Sequence, residues 1–561
     1  MQKLNYYKKI SFFVAGIIFL SFSGYVRAQS IGNEAVFNVD ANFDVSGRQK
    51  ISAKLVDISN NLYFYVEKAW WDSQKQATKD SILANLDSLG GEFNNNIYPK
   101  LTSVFGFEEK PGIDGDEKIT VLFHPMKGSD GGYFREADEY EKIQISNSNE
   151  REMLYISTYL MTLPKMKNVL AHEFVHLETF NQKNTIFKVQ EETWLNEARA
   201  DYSSTILGYD TPFDLSNLQS RMKDFAESPS DSITEWQDVK YDYASVSMLT
   251  HYMVDQYGIN ILSDSLKSKY SGIDSINYAL EKSGHGEKFA GIFTDWTIAS
   301  ILNDCSLDSK YCYRNKDLSN LKIVPNINFL PVSGNASLSV VNVVKNWAGT
   351  WQKFIGGNGD FKLEFSASSG LNFVVPYVLE DKNGNRSVSF LSFDNNKKGI
   401  IDIPNFGTDY KSLIIIPSLQ NEISGLNDNE FAYPFNFSVV VGGELLDQNQ
   451  LLIQQLLARI EDLKQQIAKL QQNNFCSSFN SNLYFGMANN ESVRCLQGFL
   501  KNQGAGIYPE GLMTGNFGSL TKQAVIRFQE KYTAEILTPV GLSSGTGYVG
   551  EKTRQKINQM L

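Results

Sequence analysis

The chain has 561 residues, of which 20% are charged and 42% hydrophobic, and a formal net charge of −11. These proportions suit globular domains and exclude a disordered chain; at roughly 100–200 residues per domain, three or four domains are expected. An acidic surface repels phosphates, which argues against a nucleic-acid partner.

The N-terminus has the form of an export signal. Lys3, Lys8 and Lys9 give a basic start, Ile10 to Leu20 is apolar, and Val26-Arg27-Ala28 fits a small-x-small cleavage site. Residues 1–28 are therefore expected to be a signal peptide, with the mature chain starting at Gln29. A secreted or cell-wall-associated protein is expected; an uncleaved membrane anchor is the alternative, and in either case the rest lies outside the cytoplasm. No later segment is apolar enough to span a bilayer. The four cysteines fall in two local pairs, and export permits oxidation. Cys305–Cys312 and Cys476–Cys495 are the favoured disulfides.

Residues 29–325 read as one α+β domain. Leu62-Tyr63-Phe64-Tyr65-Val66 and Lys118 to Phe123 are strand-like, and amphipathic stretches follow from about 164. Residues 327–442 carry short β-rich runs, namely Phe361 to Phe365, Phe373 to Tyr377 and Ser412 to Ile416, separated by turn clusters. This pattern predicts a β-sandwich. Asp381, Asn383 and Asn385 alternate as Ca²⁺ ligands would, but no Glu closes the loop, and a plain hairpin turn is the favoured reading. In 445–473, Ile453, Ile460 and Ile467 alternate with Leu456, Leu463 and Leu470 as a and d positions of a coiled-coil linker, a route to a homo-oligomer. Arg459 facing Lys464 argues against a parallel dimer, and a single stalk helix is the alternative. Residues 474–561 have helical runs at Glu491 to Leu500, Thr521 to Tyr532 and Glu551 to Leu561, a small three-helix module.

The chemistry lies in His172-Glu173-Phe174-Val175-His176. Two histidines four apart share one helix face, so both imidazoles can reach one zinc ion. Glu173 then stands beside the open coordination position as a base. The chain has only five histidines. Val169, Leu170, Phe174 and Leu177 give the helix an apolar face, and Pro164 suits its start. A third ligand is required. Thr179 and Gln182 stand where the metzincin pattern needs Gly and His, which excludes that class. Glu197 can complete the set. Asp201, one turn later, can accept the second N–H of a zinc histidine. Glu191 and Glu192 compete with Glu197, but neither has an acidic partner four residues on.

His172 to His176 with Asn196-Glu197 and Ala200-Asp201 resembles the gluzincin pattern of thermolysin-like peptidases, with Ala where those have Ser. The wording is closer to the hyicolysin-like neutral metallopeptidases. The similar stretches are Glu92-Phe93 to Tyr98-Pro99, Asp114-Gly115-Asp116, Ala171 to His176, Trp194 to Tyr202, and Tyr243 to Tyr257-Gly258. The resemblance spans about 60–300 and implies a zincin-like fold, one catalytic Zn²⁺ on His172, His176 and Glu197, Glu173 as base, and a polypeptide substrate. It also implies an oxyanion donor from a later segment, with Tyr243 favoured over Tyr241 and His251. His124 is expected to be structural. By fold analogy, Gly131 to Phe134 or Met153 to Ile156 could offer a sheet edge to an extended substrate.

The last 88 residues resemble the peptidoglycan-binding domain of bacterial wall enzymes. The carrying residues include Val493-Arg494-Cys495-Leu496-Gln497, Tyr508-Pro509, Thr514 to Gly518, and Phe528-Gln529. Most of these are core or turn positions, so the resemblance singles out no ligand contacts. Together these features predict an exported, wall-associated zinc endopeptidase. The rival readings are a non-catalytic wall-anchored adhesion protein on a peptidase fold, and a peptidase acting on peptidoglycan peptides.

Overall fold

The computed structural model describes residues 29–128, 131–332, 335–421, 432–442, 478–488, 490–509 and 511–561. The expected signal peptide, the heptads at 445–473 and Cys476 lie outside these residues. The protein is multidomain and mixes α and β structure, with a large β-sheet domain after the first unit.

The first unit is built on β1 (Glu34–Asn38), β2 (Lys50–Ile58), β3 (Leu62–Glu67), β4 (Ile119–His124), β5 (Gly132–Phe134) and β6 (Met153–Ser157), in the order β1-β2-β3-β4-β6-β5. β3, β4 and β6 run parallel, and β5 is antiparallel to β6 at one edge. Every residue of β3, β4 and β6 is buried, because both faces of the sheet are covered. Side chains alternate across a strand, so Phe64, Val66 and Phe123 meet helices on one face. Tyr63, Tyr65 and Leu122 meet Phe37, Ile51 and Tyr133 on the other.

The helices are α1 (Lys68–Ser73), α2 (Gln76–Glu92), α3 (Tyr98–Phe105), α4 (Met166–Phe180), α5 (Thr193–Leu207), α6 (Asn217–Glu227), α7 (Lys240–Tyr257), α8 (Asn260–Leu266), α9 (Gly272–Lys282) and α10 (Phe289–Leu302). α4 starts two residues after Pro164. Phe174, on its apolar side, packs against Phe93 and Tyr98 with ring centroids 5.1 and 5.6 Å away. α5 packs along α4, and α7 along α5.

The β-rich domain is one hydrogen-bonded sheet of nine strands, where two separate sheets were expected. It falls into two halves joined at the bridge Phe406↔Tyr410. Strands Tyr410–Ile415, Pro376–Asp381 and Gln352–Gly356 belong to one half. Gly359–Ala367, Lys398–Phe406 and Tyr433–Val441 belong to the other. Phe354, Phe361, Phe365, Phe435 and Phe437 fill the space between. The expected run from Phe373 to Tyr377 is broken: Phe373–Val374 pairs with Ser418–Leu419 in a separate ribbon, while Pro376 begins a strand of the main sheet. Asp381 closes a hairpin turn, its Oδ1 accepting the N–H groups of Asn383 and Asn385 at 2.8 Å each. The boundary near 325 is not a packing boundary. Trp347, Trp351 and Ile416 join the core of the first unit, where Trp347 lies 5.2 Å from Phe289 and 5.4 Å from Phe293.

The C-terminal module has α11 (Glu491–Asn502), α12 (Ser519–Lys531) and α13 (Glu551–Met560), with one further turn at Thr533–Ile536. Leu496, Leu500, Val525, Phe528 and Ile557 pack between them. Cys305 and Cys312 form a disulfide. Cys495 is also disulfide-bonded, and its expected partner lies outside the described residues.

Candidate metal centre

On α4, the four-residue spacing turns His172 and His176 to one side, with ring centroids 4.9 Å apart. α5 brings Glu197 against them. His172 Nε2 lies 3.1 Å from Glu197 Oε2, His176 Nε2 lies 3.5 Å from Glu197 Oε1, and the two Nε2 atoms are 3.2 Å apart. One ligand atom from each residue falls within 4.8 Å of the others, and no other such group occurs among the described residues. The group suits zinc by donor type: two imidazole nitrogens and one carboxylate oxygen.

The imidazole of His176 is held from its far side. Its Nδ1 lies 3.0 Å from Asn196 Oδ1. An amide oxygen only accepts, so Nδ1 carries the proton and the Nε2 lone pair is left for a metal. Sequence reasoning gave Asn196 no role. It gave the orienting role to Asp201, and the hydrogen bonds differ. Asp201 Oδ1 accepts from Arg221 Nε at 3.0 Å, Arg221 Nη2 at 2.9 Å and Asn217 Nδ2 at 2.8 Å. Among the described hydrogen bonds none joins Asp201 to His172, which acts on it only through its charge.

Glu191, the rival third ligand, is committed elsewhere. Arg199 Nη1 donates to its Oε2 at 2.7 Å, Lys183 Nζ lies 3.5 Å from the same oxygen, and the Gly272 N–H donates to Oε1 at 2.7 Å. Glu192 accepts from Trp194 Nε1 at 2.7 Å.

The electrostatics follow from burial and proximity. Burial alone would raise the Glu197 carboxyl, but His176 and His172 hold it well below the usual range. Burial would lower His176, but Glu197 outweighs it and lifts the imidazole to about 9. The field at this point therefore favours positive charge. Glu173 is 5% exposed, and burial pushes its carboxyl up against the pull of both histidines. A carboxyl raised in this way is suited to taking and returning a proton.

β5 forms the near wall of the site. The backbone N–H of Phe134 favours the charged form of Glu173, against the effect of burial. A Cβ added at Gly132 would stand 2.6 Å from Tyr155 O, 2.8 Å from Val169 Cγ1 and 3.2 Å from Glu173 Cγ. Glycine is what lets this strand lie so close to α4. β5 is one of the two edge strands of the sheet, β1 being the other. β6 is flanked by β4 and β5, so Met153 to Ile156 offers no edge.

The three oxyanion candidates are separated in space. Tyr243 opens α7 within the field of Glu197. Its ring lies 4.7 Å from the Arg221 guanidinium, and its hydroxyl donates to Asp238 Oδ1 at 2.8 Å. Tyr241 donates to Glu227 at 2.9 Å. His251 is 3% exposed, packed on Tyr202 and 3.4 Å from Thr205 Oγ1. His124 is fully buried at the end of β4, 3.2 Å from the Tyr133 hydroxyl.

No protein-family model matches the chain, and no curated protein matches it. Among solved structures, it is similar over 21% of its length to the pre-peptidase C-terminal domain of collagenase from Bacillus anthracis, at 8% identity, 96% of that chain and a TM-score of 0.14. It is also similar over 21% of its length to PliG from Aeromonas hydrophila, a periplasmic lysozyme inhibitor of g-type lysozyme, at 10% identity, 99% of that chain and a TM-score of 0.15. A third similarity, over 20%, is to the Yersinia pseudotuberculosis-derived mitogen, at 7% identity, 90% of that chain and a TM-score of 0.14. Likenesses this slight have no bearing on the chemistry of the site.

Proposed function

We propose that the protein is an exported, wall-associated zinc endopeptidase that hydrolyses peptide bonds in polypeptide substrates. The convergence of His172, His176 and Glu197 beside Glu173 carries this reading. His172, His176 and Glu197 would hold the ion, and Asn196 would fix the tautomer of His176. A zinc ion held there supplies Lewis acidity, polarising the scissile carbonyl and acidifying a water to a pKa of roughly 7. Glu173 takes the proton of the attacking water on its carboxylate and returns it to the leaving amine. The outer edge of β5 would pair with the substrate as an added strand. Tyr243, freed from Asp238, would donate its O–H to the developing oxyanion.

The zincin-like character of the first unit, export through residues 1–28 and peptidoglycan binding by 474–561 belong to the same proposal. They are supported by the residue patterns, by the Cys305–Cys312 disulfide, which suits an oxidising compartment, and by the three-helix form of the module. No described helix is long and apolar enough to cross a membrane. The test uses the purified chain on casein and on peptidoglycan, with and without chelator. One bound zinc and chelator-sensitive cleavage of casein, abolished in Glu173→Gln with zinc retained, are expected. Full activity in Glu173→Gln would overturn the mechanism, and release of peptides from peptidoglycan alone would move the substrate to the wall.

A further inference from the structure

The C-terminal module is seated on the first unit. Ala137 and Ile145 belong to the same apolar cluster as Phe485 and Phe528 of the module. Tyr140 lies at the middle of the contact, its ring 5.2 Å from Phe485 and 5.6 Å from Phe180, with Lys522 Nζ 4.2 Å from its centroid. Gln190 Oε1 accepts the N–H of Ser519 at 2.8 Å. Gly518 comes so close that an added Cβ would stand 2.2 Å from the same oxygen.

These contacts fall on segments that adjoin, along the chain, the elements carrying the metal centre. Tyr140 follows β5 by six residues, Phe180 ends the helix of the two histidines, and Gln190 precedes the helix of Glu197. Glu136, two residues beyond β5, lies within the fields of both His176 and Lys522. An extended chain laid along the outer edge of β5 would run toward Tyr140, where Phe485 and Lys522 stand. The seat combines the apolar contact of Ala137 and Ile145 with an aromatic pair, a cation–π contact and two hydrogen bonds, and Lys522 is partly stripped of water. Contacts of this kind between domains open readily.

We infer that the docked module is a latch that closes one end of the outer edge of β5 to long polypeptides, and that it opens when the module leaves Tyr140 and Gln190 to bind wall polymer. This rests on the peptidase reading of the site. In the full chain, Lys522→Glu sets a carboxylate against Glu136, and Gln190→Ala removes the acceptor for Ser519 N–H. Each should raise kcat/KM several-fold on casein while leaving a short fluorogenic peptide unchanged, and soluble peptidoglycan fragments should do the same to the unaltered chain. Amide exchange across 137–147 should rise in all three cases. An unchanged ratio of casein to peptide cleavage in both variants, or exchange that ignores the polymer, would overturn the latch. A zinc-loaded chain that cleaves neither substrate, but whose exchange still responds to both substitutions, would overturn the peptidase reading and leave the docking contact standing.

Discussion

Gly132→Ala tests the wall of the site with a single methyl group. The added carbon would sit 2.6 Å from Tyr155 O, and ordinary contact begins at 3.4 Å, so the strand must retreat by about 0.8 Å along that line. It cannot retreat freely, because Gly132, Tyr133 and Phe134 are paired with Ile156, Tyr155 and Leu154. Val169 Cγ1, at 2.8 Å, blocks the way on the helix side. Overpacking of this sort costs about 1–3 kcal/mol. The cost to catalysis should be larger, because the added carbon also stands 3.2 Å from Glu173 Cγ, and misplacing a reacting group by about 1 Å can cost roughly 10²-fold. Urea unfolding, zinc content and kcat/KM on casein would be compared with Gly91→Ala, where an added Cβ meets nothing within 4 Å. Gly132→Ala should lose stability, keep its zinc and lose most of its turnover. Wild-type turnover in this variant would refute the idea that the closeness of β5 sets the geometry of Glu173.

Three further outcomes are expected. Asn196→Ala frees Nδ1 of His176 and should weaken zinc affinity about 10–100-fold, measured by competition with a chromogenic chelator; unchanged affinity would leave Asn196 without a role. Tyr243→Phe should lower kcat with little change in KM, since its hydrogen bond would form mainly in the transition state; a silent substitution would remove it from the mechanism. Burial holds His124 and His251 down to about 4, against an ordinary 6.5. The unfolded chain therefore takes up protons first, and the stability present above about pH 6.5 is lost as pH falls toward 4, by about 3 kcal/mol for each histidine. Urea midpoints from pH 7 to 4 should show this fall, and His251→Leu should remove about half of it.

Much of the site was legible in the sequence because its parts are local. The spacing of His172 and His176 places both on one helix face, and Glu197 lies on the next long helix. The three helices of the module and the central strands of the first unit announced themselves by unbroken apolar runs or helical spacing. Other features depend on residues far apart in the chain. The part played by Asn196 becomes visible only when α5 lies along α4. Asp201 looks like an orienting carboxylate until α6 delivers Arg221 to it. Gly132 gives no signal in sequence, because its neighbours Val169 and Glu173 come from a helix more than thirty residues later. β1 and β2 were not foreseen either: the exposed positions of β1 and the bulged pairing of β2 with β3 blur their alternation.

The intrusion of Trp347 and Trp351 into the first unit's core bears on how the molecule melts. Trp347 N–H and C=O are tied to Leu419 and Ile233, and Trp351 Nε1 donates to Thr297 O at 2.9 Å, so the two indoles lock both units together. Residues 29–442 should therefore give a single endotherm in calorimetry, with van't Hoff and calorimetric enthalpies in agreement. A chain ended at 325 would uncover Phe289 and Phe293, which Trp347 covers, an adhesive face of the kind that drives precipitation. The β-rich domain is in this sense the missing side of the first unit's interior, and heat should find no seam between them.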